Sequence, residues 1–227
     1  MIVRLDSDMA APNSRTRVKV CGLTRAEDAA RAVEVGADAL GVVFADSPRQ
    51  VDVKQACGVL EATPDYVQRV GVFADQPIEL IREAITECRL DWIQLSGNES
   101  ADLARSISLP VIKAIHVSEA YDLEKGKDYP ADVYLLDAPP VEGRMGGTGA
   151  IFDWSKADGL PWPHRMIVMA GGLTPDNVGL AIKRLRPGGV DVSSGVESKP
   201  GVKDASKIEA FIAAVREADR RIRLASQ

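Results

Sequence analysis

The chain has 227 residues, 45% of them hydrophobic, and 28 Lys and Arg against 33 Asp and Glu, for a formal net charge of −5. That content fills one large buried core at a length where α/β barrels fold as a single domain. The mildly acidic balance gives no global reason to seek nucleic acid or an anionic membrane, and no apolar run approaches the roughly 20 residues of a membrane span.

The N-terminal stretch MIVRLDSDMAAPNSRTR carries acids early and lacks the apolar core of a secretory signal, so residues 1–16 are expected to be a flexible leader and 17–227 the folded domain. A short apolar strand, Val18–Cys21, comes next, with a helix from Arg25. Strand Ala39–Phe44 precedes a helix from Val53, Gln68–Phe73 one from Pro77, and Trp92–Leu95 one from Ser100. Val111–His116 leads to a helix from Ser118, and Val133–Asp137 to one from Asp153. Met166–Ala170 leads to a helix from Thr174, and Val190–Val192 to one from Asp204. Thr174 is the expected N-cap, Pro175 the first helical residue and Pro187-Gly188 the stop; Gln76-Pro77 repeats that logic.

Short strands that are apolar throughout, alternating with helices, mark a parallel sheet buried on both faces. The strand–helix repeat predicts an α/β fold, a single-domain (β/α)8 TIM barrel. An open doubly wound sheet is the competing architecture. Against it, no Gly-x-Gly-x-x-Gly follows the first strand, and glycine-rich segments follow several different strands.

In a barrel the loops after all strands meet at one face. Gly171-Gly172 precedes a helix N-terminus, and Ser193-Ser194-Gly195 follows the last strand. Backbone N–H groups and a helix dipole there suit a phosphate, though glycines also serve any tight turn. Cys21 and Asp137 end strands on opposite sides of such a barrel, where a thiol and a carboxyl form a possible acid–base pair. A cysteine base must gain thiolate character from a nearby positive charge or helix N-terminus; otherwise it is a small buried hydrophobe, as most lone cysteines are. Cys57 and Cys88 fit that second description, and the three cysteines, far apart and odd in number, are expected to form no disulfide framework and no zinc site. Two histidines, His116 and His164, make a metal centre unexpected, and a reducing cytoplasm is the expected compartment.

Arg49 sits in a loop that needs no basic residue for turning, and its planar fork suits a carboxylate. Lys19 lies inside a strand; pointing inward it needs a buried partner, for which Asp191 is the candidate. His116 is equally a ligand contact or a satisfied structural histidine.

VKVCGLT, GVVFADSPRQV, VGVFADQP, DWIQLSGNE, VIKAIHV, LLDA, GGTGAIFDW, MAGGLTPDNV and GVDVSSGVESKPGVKD, in that order, together resemble the phosphoribosylanthranilate isomerases of tryptophan biosynthesis over about Arg17 to Arg216. The resemblance implies a single-domain (β/α)8 barrel that converts N-(5-phosphoribosyl)anthranilate to a 1-deoxyribulose phosphate by an Amadori rearrangement, without metal or cofactor. It places the family's cysteine base on Cys21 and its aspartate acid on Asp137. The anthranilate carboxylate falls to Arg49, and the phosphate to Gly171, Gly172, Ser193, Ser194 and Gly195. Where the family commonly reads Gln-Leu-His-Gly, this chain has Gln94-Leu95-Ser96-Gly97.

Two other outcomes stay open. A phosphosugar epimerase resembles a metal site with several histidines, and an indole-forming synthase wants a lysine at the end of strand 2 or 3; this chain has neither. A non-catalytic barrel that senses a phosphorylated metabolite would not need both Cys21 and Asp137.

Overall fold

The computed structural model describes residues 15–117, 126–138 and 160–225. Eight parallel strands close into a barrel in chain order: β1 (Arg17–Val20), β2 (Ala39–Val43), β3 (Gln68–Phe73), β4 (Trp92–Leu95), β5 (Val111–His116), β6 (Val133–Asp137), β7 (Ile167–Met169) and β8 (Gly189–Val192). β8 pairs back to β1 with Val18 beside Val190, Lys19 beside Asp191 and Val20 beside Val192. This is the TIM barrel the alternating pattern predicts. Cys21, Phe44 and Ala170 fall just past their strands, yet their N–H groups still donate at 2.8 Å to Val192, Val72 and Leu136.

Six described helices cover the outside: α1 (Ala26–Glu34), α2 (Val53–Leu60), α3 (Ile78–Glu87), α4 (Ala101–Ser106), α5 (Val178–Leu185) and α6 (Ala205–Ala225). The helices expected from Ser118 and Asp153 lie outside the described residues. Side-chain caps start several: Asp52 accepts from Gln55 N at 2.7 Å, Ser100 from Leu103 N at 3.2 Å, and Asp204 from Ser206 N at 2.9 Å. Two expected starts move. Pro77 is itself the N-cap of α3, and α5 begins only at Val178. Asn177 Oδ1 accepts from Thr174 N at 2.8 Å, which holds Thr174–Asn177 as a turn in competition with the helix. Among the described residues no helix is long and apolar enough to cross a membrane.

The strands are apolar on both faces because both are covered. Inside the ring, Val70, Trp92, Ile112, Ala114, Val133 and Leu135 pack on one another. Outside it, Ile93, Leu95, Tyr134 and Leu136 meet the helical layer. On α6, Ile208, Phe211, Ile212, Val215 and Ala218 form a buried stripe at helical spacing. An aspartate just before each of β2, β4 and β6 ties the preceding strand at the opposite rim from the loops after the strands. Asp38 accepts from Val18 N at 2.9 Å, Asp91 from Arg69 N at 2.8 Å, and Asp132 from Val111 N at 2.8 Å. Thr16 is buried and bound through N and Oγ1 to Asp219 of α6 at 3.0 and 2.7 Å, so it packs as part of the barrel domain.

Two features depart from expectation. After β8 the chain forms an antiparallel hairpin, β9 (Glu197–Lys199) and β10 (Val202–Lys203), folded over the barrel mouth. Cys57 of α2 and Cys88, the C-cap of α3, are joined by a disulfide, correcting the expectation of none. The barrel sets α2 beside α3 and brings the two Cα atoms to 4.5 Å, within the span a disulfide bridges. Cross-linking residues 31 apart limits the unfolded chain, so Cys57→Ser should lower the unfolding free energy by about 3–4 kcal/mol without reductant and leave kcat unchanged. Urea midpoints of the two proteins measure this; coincident midpoints would show that the bridge contributes nothing.

Candidate active site

Cys21, just past the end of β1, is two residues beyond Lys19 and therefore shares its face, turned to the barrel interior. Both are buried, and Lys19 Nζ donates to Asp191 Oδ1 at 2.9 Å, so the partner expected for Lys19 is the one it has. Burial pushes the Cys21 thiol up, Lys19 pulls it down, and Asp191 pushes it up again; the net value lies above that of an ordinary cysteine. The positive neighbours that a cysteine base requires are thus present, but burial outweighs them.

Asp137 ends β6, partly buried, and accepts from Ala138 N at 2.8 Å. Burial pushes its pKa up to about 6, against the opposing pull of His116 and of the Ala138 N–H. The strand order puts Asp137 three positions from Cys21 around the ring, through β8 and β7, and not diametrically across it. Lys19 and Asp191 act on both groups electrostatically. His116 is the register partner of Asp137, and its ring nitrogens lie 3.4 Å from Ala138 O and 3.3 Å from Ser96 O. Ser96 Oγ accepts from Gln94 Nε2 at 3.0 Å.

Gly171 has φ 74° and Gly172 φ 67°, a left-handed pair that few side chains tolerate. At Gly171 an added Cβ would lie 2.5 Å from Ala138 N and 3.1 Å from Asp137 Oδ1, so the loop after β7 rests directly on the carboxyl. Ser193-Ser194-Gly195 follows β8 as a short 3-10 turn, and Gly195 packs on the Leu173 carbonyl, which joins the two loops. The residues expected from the loops after β7 and β8 are therefore brought together. The loop after β6, beyond Ala138, lies outside the described residues.

Arg49 is buried and faces Glu197, with Nε to Oε1 and Nη2 to Oε2 both at 2.7 Å. Lys203 Nζ donates to the same Glu197 Oε1 at 2.8 Å and to Ser193 O at 3.1 Å. Burial pushes the Glu197 carboxyl up, but Arg49 and Lys203 more than offset it, and its pKa falls below the usual range. Sequence reasoning missed Glu197 and Lys203. The signal was a Glu and two Lys in the nine residues GVESKPGVK around a Pro-Gly turn, but which charges turn inward depends on the hairpin.

A family model described as N-(5'phosphoribosyl)anthranilate (PRA) isomerase matches residues 18–214. The chain is similar to the N-(5'-phosphoribosyl)anthranilate isomerase of Geobacter metallireducens, 45% identical over 197 residues, which are 86% of this chain and 96% of that protein. Its fold matches the crystal structure of phosphoribosyl anthranilate isomerase from Thermus thermophilus with a TM-score of 0.81 at 39% identity, covering 89% of this chain and 99% of that one. It also matches a phosphoribosyl anthranilate isomerase in complex with reduced 1-(o-carboxyphenylamino)-1-deoxyribulose 5-phosphate, with a TM-score of 0.79 at 39% identity over the same shares. The closed barrel, the shared mouth on which Cys21 and Asp137 stand, and a match running from β1 into α6 agree: the chain belongs to the N-(5'-phosphoribosyl)anthranilate isomerase family.

Proposed function

We propose that Asp137 and Cys21 carry the family's reaction in this enzyme as general acid and general base. The enzyme converts N-(5-phosphoribosyl)anthranilate to 1-(2-carboxyphenylamino)-1-deoxyribulose 5-phosphate in tryptophan biosynthesis, and a cytoplasmic location goes with that role. Protonated Asp137 gives its proton to the furanose ring oxygen, and the ring opens to an iminium. The iminium withdraws electrons from C2, and the Cys21 thiolate takes the C2 proton. The resulting enolamine tautomerises to the ketone; C1 is reduced as C2 is oxidised, so the electrons stay within the substrate. The observation that supports this assignment is the carboxyl with a pKa near 6 on the same barrel mouth as the free thiol, both beside the Lys19–Asp191 pair.

In the same proposal, the substrate phosphate rests on Gly171, Gly172, Ser193, Ser194 and Gly195, where backbone donors converge. The anthranilate carboxylate shares the Arg49 guanidinium with Glu197, which holds its plane. Turnover of chemically prepared substrate, with inorganic phosphate as competitor, tests the phosphate site. Ser194→Glu should raise KM about tenfold or more, the loss expected of charged hydrogen bonds. Equal affinity of the wild type for phosphorylated and dephosphorylated product would remove both loops from the site.

Arg49→Ala should narrow the preference for the natural substrate over an analogue without the carboxylate by about 1.5–3 kcal/mol. The ratio of the two kcat/KM values is the measurement, because it cancels any loss of folded enzyme from stripping Glu197 of its partner. An unchanged ratio would make Arg49 a structural partner of Glu197 alone.

A further inference from the structure

We infer that Lys19, locked in place by Asp191, is a positioning residue that supplies the counter-charge for the Cys21 thiolate and so sets how much of the working base exists. This rests on the assignment of Cys21 as the base.

A lysine inside a barrel is costly unless paired. Asp191 satisfies Lys19 at 2.9 Å, but a buried ion pair is weak evidence for stability, since apolar residues of like volume pack there as well or better. The placement supplies another reason. Lys19 and Cys21 project from the same face of β1, and the ammonium acts directly on the thiol. The two side chains close over Gly41 of β2, where an added Cβ would lie 2.8 Å from Cys21 Sγ and 3.1 Å from Lys19 Cε. Glycine at 41 therefore leaves the thiol and the lysine stem room to sit side by side.

The charged groups around the thiol come from four elements. Lys19 lies on β1, Asp191 on β8 and Lys203 on β10, while Arg49 follows β2; Asp137, at the end of β6, shares Lys19 and Asp191 as neighbours. Glu197 of β9 faces Arg49 and Lys203, and His116 of β5 faces Asp137. Lys19 is the strongest influence that lowers the thiol, and Asp191 the strongest charge that raises it. Lys19 itself, though burial pulls it down, is pushed above its ordinary value by Asp191 and Cys21, so it stays charged while the thiol titrates. On ionisation the row reads Asp191 negative, Lys19 positive, Cys21 negative.

Cys57 and Cys88 are bonded, so Cys21 is the one free thiol and its alkylation by iodoacetamide as a function of pH titrates it without turnover. Lys19→Met/Asp191→Asn removes both charges and leaves neither buried alone. It should move the alkylation midpoint up by about one pH unit or more, and lower kcat/KM near neutral pH about tenfold for each unit. Asp191→Asn alone, which keeps Lys19, should move the midpoint down. Damage to packing would not move the two variants in opposite directions. An unchanged midpoint in the folded double variant, or an upward move in Asp191→Asn, would overturn the proposal. Cys21→Ser keeps the two claims apart: full turnover there removes the base assignment, while the alkylation midpoints still decide whether Lys19 governs the thiol.

Discussion

Asp137→Asn should lower kcat by about 10²–10⁴-fold and leave the barrel intact, because an amide fills the same space but cannot protonate the ring oxygen. Each tenfold loss is about 1.4 kcal/mol of barrier. The side chain is partly exposed at a strand end, and among the described residues its hydrogen bond is to its own neighbour, Ala138 N, which an amide oxygen also accepts. The pH profile carries the sharper signature. In the proposed mechanism turnover needs Asp137 protonated, with a pKa near 6, and Cys21 ionised, with a pKa above that of an ordinary cysteine. Below pH 6 Asp137 is already protonated and the thiolate fraction falls tenfold per pH unit, so kcat/KM falls. Between the two values the loss of protonated Asp137 and the gain of thiolate cancel, and the profile is flat. Above the thiol value it falls again. Removing Asp137 removes the break near 6: residual kcat/KM of Asp137→Asn should climb through neutral pH until the thiol is ionised. A variant with near wild-type kcat, or one that keeps the acid-side break, would show that another group donates the proton.

Cys21→Ser is expected to lower kcat by about 10²-fold or more, since a serine hydroxyl hardly ionises at any working pH and cannot accept the C2 proton. Oxygen for sulfur is nearly isosteric, so product binding through the phosphate loops should survive, which isothermal titration with product checks. The residual profile should be the mirror of the previous one. With no thiolate to gain, kcat/KM should decline from about pH 6 upward as Asp137 loses its proton. Alkylation of the wild type should inactivate it and bound product should protect it. A Cys21→Ser enzyme with wild-type kcat and a flat profile would return Cys21 to a small hydrophobe at a strand end. A cysteine base would ordinarily be expected to gain activity with pH through neutrality; here the raised Asp137 cancels that gain.

The order of strands and helices was legible because both faces of a barrel strand are buried. Runs such as WIQL and VYLLD must be apolar throughout, and the helices between them must carry one apolar stripe. The bounds of β3 to β6 follow from that constraint alone. Cys21, Asp137 and the two glycine or serine loops were also legible, because a parallel barrel collects every post-strand residue at one rim. Their family order made the match specific. Local chemistry was less decisive at helix starts: Asn177 bonds back to Thr174 and delays α5, a choice between side-chain and backbone partners that periodicity does not record.

What the chain determined by itself is thus the architecture and the rim on which each reactive group sits. What only the tertiary structure decided is which groups touch. The disulfide needed α2 and α3 to lie side by side, at 4.5 Å between Cα atoms, across 31 residues of chain. The fork of Arg49 on Glu197 and the burial of Lys203 needed the β9–β10 hairpin to fold over the mouth. The balance at Cys21 needed the closing register that sets Lys19 beside Asp191. Each is a contact between residues far apart in sequence, and its energy depends on distance and burial, which a sequence pattern does not contain. That is why the proposed base could be named from VKVCGLT, while its protonation state follows only from the ion pair and the burial around it.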